Sequence, residues 1–435
     1  MEVMRTPRIP WPPRLPRLPE HRPTLPPLRL PSLRMRSLRM PSLRLRWLRL
    51  PSVSLPRPRL PKPPLPQFTG RLHEPRTATV IGRWLGVLIA LCFLTGFLSH
   101  YVQRPPDWLA GALPSRPVWG YRLTQGVHVA SGIAAIPLLF AKLWTVYPRL
   151  FVWPPVRSVR HALERLSIAV LVAATVFQLL TGLLNTVQWY PWPFSFVPVH
   201  FAVAWVVFGS LVLHIAVKYP DIRAHWSRTS PGTLELPAAD GPDRRSLLAG
   251  VSAAVGAVTL TTVGQTVTPL KNLDLFAPRH PDHGEQGLPV NRSAAQAGMV
   301  GRDLSGYRLT VLGRDSYELT LDELAAMAQH TVRLPIACVE GWSKYADWSG
   351  VRVRDLVARA GGRPDALVRV VSMERRGAYR VMEMGGGYTE DPLTLLALRL
   401  NGQVLSLDHG FPARVIAPNR PGVWQTKWVA RMEII

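Results

Sequence analysis

The chain has 435 residues, 47% of them hydrophobic, and a formal net charge of +25. That length suits two or three folding units, and so large a basic excess needs an explanation. Two cysteines exclude a disulfide framework and any zinc or iron–sulfur centre held by this chain's thiols alone.

Most of the excess is a tail. Residues 1–76 carry 17 Lys and Arg against 3 acids, and 19 of the 44 prolines. Their repeated Leu-Arg-x-Pro theme forbids a long helix and opposes a packed core, so the tail reads as disordered. It could contact lipid, serve as a plain linker or bind nucleic acid. Only Trp11, Trp47 and Phe68 are there to stack on bases. Membrane lipid, where each basic residue near anionic headgroups adds about 1 kcal/mol, is therefore the expected partner, and nucleic acid is not. The first 76 residues lack an apolar signal-peptide region.

Five segments are then apolar for about 20 residues each, enough to cross about 30 Å of hydrocarbon. They run over 80–101, 124–146, 164–187, 197–218 and 246–268. The last is rich in small and hydroxylated residues and reads as the weakest, so a soluble helix stays open there. Arg149, Arg157 and Arg160 join spans two and three, and Lys218, Arg223, Arg228, Arg244 and Arg245 join four and five. The loop between three and four has no Lys or Arg. By the positive-inside bias the N-terminus is cytoplasmic, and five crossings place everything after about residue 270 outside the cell membrane. DRRSLLAGVSAAVGAV also resembles an internal twin-arginine export signal.

Ionisable residues inside spans default to function. His200 and His214 lie fourteen residues apart on span four, about 40° short of four full turns and about 21 Å along the axis. Imidazole is a usual axial ligand of haem iron, and two haems stacked across a bilayer need ligands at such a separation. By depth, His100, His128 and His200 lie towards the outside, and His161 and His214 towards the inside. The expected ligand pairs are His128 with His200 and His161 with His214. With these residues the region 80–220 resembles the four-helix di-haem b-type cytochrome subunits of bacterial membrane oxidoreductases, which implies one or two haem b. It departs from them where the inner end of span one carries Arg83 and Trp84 rather than a histidine.

Past residue 285 short β-like runs (YRLTVLG, VRLPIAC, LVRVVSM, YRVMEMG, ARVIAP, WVARMEII) alternate with Gly, Pro and Asp turns and two helical stretches, LDELAAMAQ and VRDLVARAG. This is an α+β pattern. Cys338 ends one such run and could be an inert apolar filler, but Arg333, Glu340, Trp342, Ser343 and Lys344 crowd round it. As a nucleophile it would need His330 or His409 as base; as a metal ligand it needs most of the coordination from a cofactor.

These residues resemble a family. Cys-Val-Glu-x-Trp-Ser (338–343), Trp-Ser-Gly-Val (348–351), Asn-Gly-x-x-Leu (401–405), His-Gly-Phe-Pro-x-Arg (409–414) and Lys-Trp (427–428) are similar to motifs of sulfite oxidase-fold molybdopterin enzymes. Within these they look most like the bacterial methionine sulfoxide reductase catalytic subunits. The resemblance implies that Cys338 is a catalytic thiolate on molybdenum, and that His409, Arg414 and Lys427 hold the pterin and its phosphate. It implies the same of Asn291 and Arg292. The arginines that would bind a sulfite anion cannot be placed.

The expected architecture is a basic tail (1–76), a four-helix cytochrome b-like membrane domain (77–220), a loop with one linking span (221–284) and an α+β sulfite oxidase-type molybdopterin domain (285–435). The expected activity is oxygen-atom transfer, reducing an S-oxide or N-oxide with electrons passed through haem from quinone or another donor. Three other readings stay open: a sulfite-type dehydrogenase that reduces quinone, a haem sensor with an inactive molybdopterin-like domain, and a non-redox scaffold.

Overall fold

The computed structural model describes residues 73–226, 244–375 and 377–435. The basic tail up to residue 72, with the role expected of it, and the loop 227–243, which includes Arg228, lie outside the described residues. All described residues belong to one unit spanning 52–435.

Long apolar stretches form the first half. Helix α1 (Pro75–Gln103) starts with proline in its first turn, where no amide hydrogen bond is lost. A short α2 (Asp107–Ala110) leads to α3 (Gly120–Val146). Helix α4 (Val159–Thr186) is capped by Ser158, whose hydroxyl accepts the His161 amide at 3.2 Å. Helices α5 (Phe196–Ala224) and α6 (Arg244–Leu260) follow. Five of these helices, α1 and α3 to α6, are long and apolar enough to cross a membrane. The fifth was expected to be the weakest, yet its most apolar stretch equals that of α3. Helix α1 lies along α3, α4 along α5, and α6 against the outside of α3. Ile81, Leu85, Leu138 and Leu139 close the α1–α3 seam, with Leu248 and Val251 of α6 packed on it.

The second half is an α/β domain. One sheet has the order β2 (Tyr317–Thr320), β1 (Arg308–Leu312), β10 (Val429–Ile434), β5 (Val368–Ser372), β6 (Val381–Met384), with β1 and β10 parallel and the other pairs antiparallel. The other has the order β3 (His330–Ala337), β4 (Ser343–Arg352), β7 (Leu395–Leu400), β8 (Gln403–Val404), and β9 (Arg414–Ile416) pairs with β7. A core of Leu309, Val311, Val370, Leu396, Val415 and Met432 lies between the sheets. A second core, with Ile336, Cys338, Trp342, Trp348 and Ile416, covers the other face of β3–β4–β7. The second sheet is thus buried on both faces, and Cys338 sits where β3 ends in the second core.

Strands β2, β4, β7 and β8 were not anticipated. In β4 the polar cluster after Cys338 hides a ten-residue strand, and a register shift at Ser349/Gly350 changes which residues face which core. A Cβ on Gly350 would stand 2.1 Å from the Leu396 carbonyl oxygen, so only glycine fits the Trp-Ser-Gly-Val segment. Both cysteines are free.

Candidate functional site

Residues 338–342 close the β3–β4 hairpin. The Cys338 amide donates to the Trp342 carbonyl at 2.9 Å, and the Gly341 amide donates to the Cys338 carbonyl at 3.1 Å. The thiol is only 3% exposed. The Asn291 amide donates to its sulfur, and the Trp342 indole donates to Asn291 Oδ1 at 3.1 Å. Burial, and then the charge of Glu340, push the thiol well above the ordinary thiol range. A metal cation in place of the proton would reverse that preference. Glu340 is itself buried and raised to about 7 by burial, and its Oε2 has no partner.

From Asn291 the chain runs to the remaining expected residues. Lys427 donates to the carbonyls of Arg292 (3.0 Å) and Asp408 (2.6 Å). Arg414 Nη1 donates to the His409 carbonyl at 3.3 Å. His409 Nε2 bonds the Glu285 carbonyl at 2.7 Å, and Arg292 pairs with the buried Glu374 at 2.8 Å. The fold therefore gathers Cys338, Asn291, Arg292, His409, Arg414 and Lys427 round one region. Burial lowers Arg414 to about 9, and burial followed by the Arg414 charge lowers Lys427 to about 7. His409 falls to about 4 for the same two reasons. Among the described residues neither Arg414 nor Lys427 has an ion pair within 4.0 Å, and Arg414 Nε has no partner at all. The buried Arg414 and the half-buried Lys427, which hydrogen-bond carbonyls, lie over the Trp348 and Trp428 rings and meet no carboxylate among the described residues, suit an anionic ligand such as a phosphate. Gly410, at φ +109°, lets its backbone pass beside Lys427, where a Cβ would stand 3.0 Å from that side chain.

In the bundle, a cavity of about 2110 Å³ lies between α1, α3, α4 and α5, and all five expected histidines line it. His128 and His200 face each other with ring centres 6.2 Å apart. Two imidazoles on opposite sides of one metal ion stand about 6 Å apart, given bonds of about 2 Å and about 1 Å from each nitrogen to its ring centre. His128 Nδ1 lies 2.9 Å from the Cys92 carbonyl, to which it donates, so Nε2 keeps its lone pair. His200 Nδ1 lies 3.0 Å from Thr181 Oγ1, whose own proton goes to the Phe177 carbonyl at 2.9 Å. It too donates and leaves Nε2 free. Fixing a ring through its second nitrogen is how metal-binding histidines are held. A Cβ on Gly96 would meet the His128 ring at 2.7 Å, and one on Gly182 the His200 ring at 3.3 Å. The apolar cavity and this donor pair fit a haem. His100 instead stacks flat on Phe201 at 3.5 Å. His161 and His214 line the far end of the cavity, with no ring contact recorded between them among the described residues.

The two regions meet. Gln125, one helical turn before His128, donates to the Val339 carbonyl at 2.6 Å and accepts from Ser99 at 2.8 Å. Arg122 donates to Ser343 Oγ at 2.8 Å, and Gly341, at φ +99°, abuts Val129. Gln188, between α4 and α5, donates to Glu340 and accepts from Arg279. Trp424 donates to the Gln103 carbonyl at 2.6 Å. None of Gln125, Arg122, Gln188 and Arg279 was anticipated. The available signal was Gln125 itself, an amide in an apolar span three residues before a histidine.

Residues 297–435 match the family model described as oxidoreductase molybdopterin binding domain. This region is therefore similar to oxidoreductase molybdopterin-binding domains. The match begins after Asn291 and Arg292. Rat (Rattus norvegicus) mitochondrial sulfite oxidase is 30% identical over 161 residues, which is 30% of this chain and 30% of that protein. A putative protein-methionine-sulfoxide reductase subunit, YedZ1, of Azospira oryzae is 32% identical over 130 residues, covering 29% of this chain and 48% of that one. The protein-methionine-sulfoxide reductase catalytic subunit MsrP of Ralstonia nicotianae is 31% identical over 130 residues, covering 26% and 39%. The chain thus spans less than half the length of these relatives. The unpaired cations, the enclosed thiol and the close passage at Gly410 fit a molybdopterin.

Proposed function

We propose that the chain is a membrane-bound oxidoreductase that passes electrons through haem b, held by His128 and His200, to a molybdopterin site at Cys338, where an S-oxide or N-oxide is reduced. The observation that carries this is the hydrogen bond to the Val339 carbonyl from Gln125, a residue three positions, about 4.5 Å of rise, before His128 on the same helix. When bound, the molybdenum–pterin supplies two-electron oxygen-atom transfer, and the haem supplies single-electron transfer.

The protein's own groups do the rest. Cys338 binds as thiolate, with Asn291 orienting its sulfur. Arg414, Lys427 and His409 hold the anionic part of the pterin, and Arg292 stays tied to Glu374. Reduction of an S-oxide consumes two electrons and two protons and yields a sulfide and water. Glu340, raised to about 7 beside the thiol, can hold one of those protons on its unpartnered Oε2. Its charge when ionised opposes a dianion such as sulfite, which favours a neutral substrate. The thiol domain docks on the end of the bundle that carries the loop without Lys or Arg and the α1–α3 connection with Arg104 and Arg116, while Arg149, Arg157, Arg160, Arg223, Arg244 and Arg245 lie at the other end. This supports a cytoplasmic N-terminus and an extracytoplasmic molybdopterin domain in the cell membrane.

The test is molybdenum quantification with a reduced-minus-oxidised spectrum on wild type and Cys338→Ala. Wild type should hold both groups, and the variant should keep its haem while losing oxygen-atom transfer. Haem without molybdenum in the wild type would favour a sensor, and neither group would favour a scaffold.

A further inference from the structure

The thiol loop is covered by parts of the chain outside the molybdopterin domain. From α3, Gln125 holds the Val339 carbonyl and Val129 abuts Gly341. From the α4–α5 connection Gln188 donates to Glu340, and Arg279, in the segment after α6, donates to Gln188. Thr266, from that same segment, and Arg122 hold the next side chain: Ser343 Oγ lies 2.7 Å from Thr266 Oγ1 and accepts from Arg122 at 2.8 Å. Glu340 is left only 4% exposed. Gln188 keeps its place at φ +58°, a left-handed backbone that a residue with a side chain holds only where its surroundings require it. Two residues further on, Tyr190 lies within electrostatic reach of Glu340, Cys338 and Tyr379, yet is 49% exposed. Its ring packs edge-on to Phe196, centres 5.0 Å apart, and its hydroxyl donates to Asn185 at 3.2 Å. On the facing domain Tyr379 stands edge-on to Trp424, which donates to the Gln103 carbonyl of α1. Tyr190 therefore lies where the covered loop meets water, and Trp189 and Trp192 beside it are exposed, as aromatic residues are at headgroup depth in a membrane.

We infer that the helical bundle supplies the outer wall of the substrate mouth, with Tyr190 as its specificity-determining residue, and that the substrate is a small free S-oxide or N-oxide, not the protein-bound methionine sulfoxide for which two of the relatives are named. This rests on the function proposed above and adds the size of the molecule acted on. A polypeptide carries chain on both sides of an oxidised methionine, and to bring that side chain to Cys338 it would have to push Gln188 aside. That would strip the buried Glu340 of its donor and Arg279 of its acceptor, and a buried polar group without its partner is costly. The polypeptide would also have to lie along the headgroups, beside Trp189 and Trp192. A molecule of a few heavy atoms meets neither obstacle. It passes Tyr190, whose ring is the wall its apolar groups touch, and leaves the bond between Gln188 and Glu340 intact.

The experiment takes the full-length holoenzyme in detergent, its haem reduced with dithionite. It follows reoxidation of that haem by dimethyl sulfoxide, by free methionine sulfoxide and by casein whose methionines are oxidised to sulfoxides, in wild type and Tyr190→Ala. In the wild type, kcat/KM for oxidised casein should fall about 100-fold or more below that for free methionine sulfoxide. Tyr190→Ala should retain both cofactors and raise the KM for dimethyl sulfoxide by about threefold to tenfold at unchanged kcat, as a lost ring contact outside the reacting atoms does. Apart from turnover, methionine sulfone, an unreactive analogue, should slow backbone hydrogen exchange over residues 186–192 in the wild type and not in Tyr190→Ala, read by mass spectrometry. Oxidised casein that reacts as fast as free methionine sulfoxide would overturn the size limit. Exchange unmoved by methionine sulfone in the wild type, or an unchanged KM in Tyr190→Ala, would overturn the wall. Haem and molybdenum both present with no reoxidation by any of the three S-oxides would overturn the proposed function, and this inference with it.

Discussion

Gly341 is where the thiol loop touches the bundle, and replacing it by alanine tests that contact. Its φ of +99° is one that residues with a side chain rarely adopt, which costs about 1–3 kcal/mol for alanine. The new methyl would also stand 2.7 Å from Val129 Cγ2 and 3.1 Å from its Cβ, and forcing a methyl into a packed contact costs about 1–3 kcal/mol. The two effects act on different partners, so Gly341→Ala should destabilise the protein by about 2–6 kcal/mol. Adding Val129→Ala removes the overlap with both Cγ atoms but leaves the 3.1 Å approach to Cβ and the backbone strain. The double variant should therefore recover about 1–3 kcal/mol of the loss relative to Val129→Ala alone. Thermal unfolding in detergent, followed separately at the haem band and by tryptophan fluorescence, gives the four corners of the cycle. Additive effects of the two substitutions would refute the contact between loop and helix.

Gln125→Leu leaves the Val339 carbonyl without its donor, so it should cost about 1–3 kcal/mol and slow reoxidation of the haem by substrate, read by stopped flow, with both cofactors retained. Arg414→Met removes a buried cation that has no counter-ion. The cofactor-free protein should melt at the same or a higher temperature, while metal analysis finds the molybdenum lost. Stability of the cofactor-free protein should also depend on pH. His409 and Lys427 have folded values near 4 and 7, below their unfolded 6.5 and 10.5, and favour stability that rises with pH. Glu340, raised from 4.5 to about 7, opposes His409 below pH 7, and the raised Cys338 thiol opposes Lys427 above about pH 9, so the melting temperature should rise with pH between about pH 7 and pH 9. With the anionic cofactor bound, Lys427 regains its proton, and the rise above pH 7 should flatten.

The helices were legible because uninterrupted apolar stretches of this length have few other outcomes; most of their ends lie within five residues of those expected, but α5 runs six residues further and α6 stops eight residues short. The cofactor domain was legible through residues that tolerate little change: Gly350 against the Leu396 carbonyl, Gly410 against Lys427, and a thiol at the end of β3. Strand β4 was hidden because the hairpin puts polar residues from 339 to 344 at a buried junction with the bundle, where alternation breaks down. Depth along the spans indicated which histidines share an end of the bundle. It could not reveal the hydrogen bonds that orient His128 and His200, made to Cys92 and Thr181 on neighbouring helices across distances the linear pattern does not encode. Gln125, Gln188 and Arg279 escaped notice for the same reason: each acts on a partner at least 90 residues away.

Electron passage from the bundle to the thiol domain can be watched directly. Haem in the purified protein is reduced with a limiting amount of dithionite and mixed with dimethyl sulfoxide, and the ferrous band is followed in wild type and in Cys338→Ala. The account predicts that the wild-type band decays as dimethyl sulfide forms and that the variant band persists. Equal decay in both, or a wild-type band that ignores the S-oxide while molybdenum is present, would contradict it.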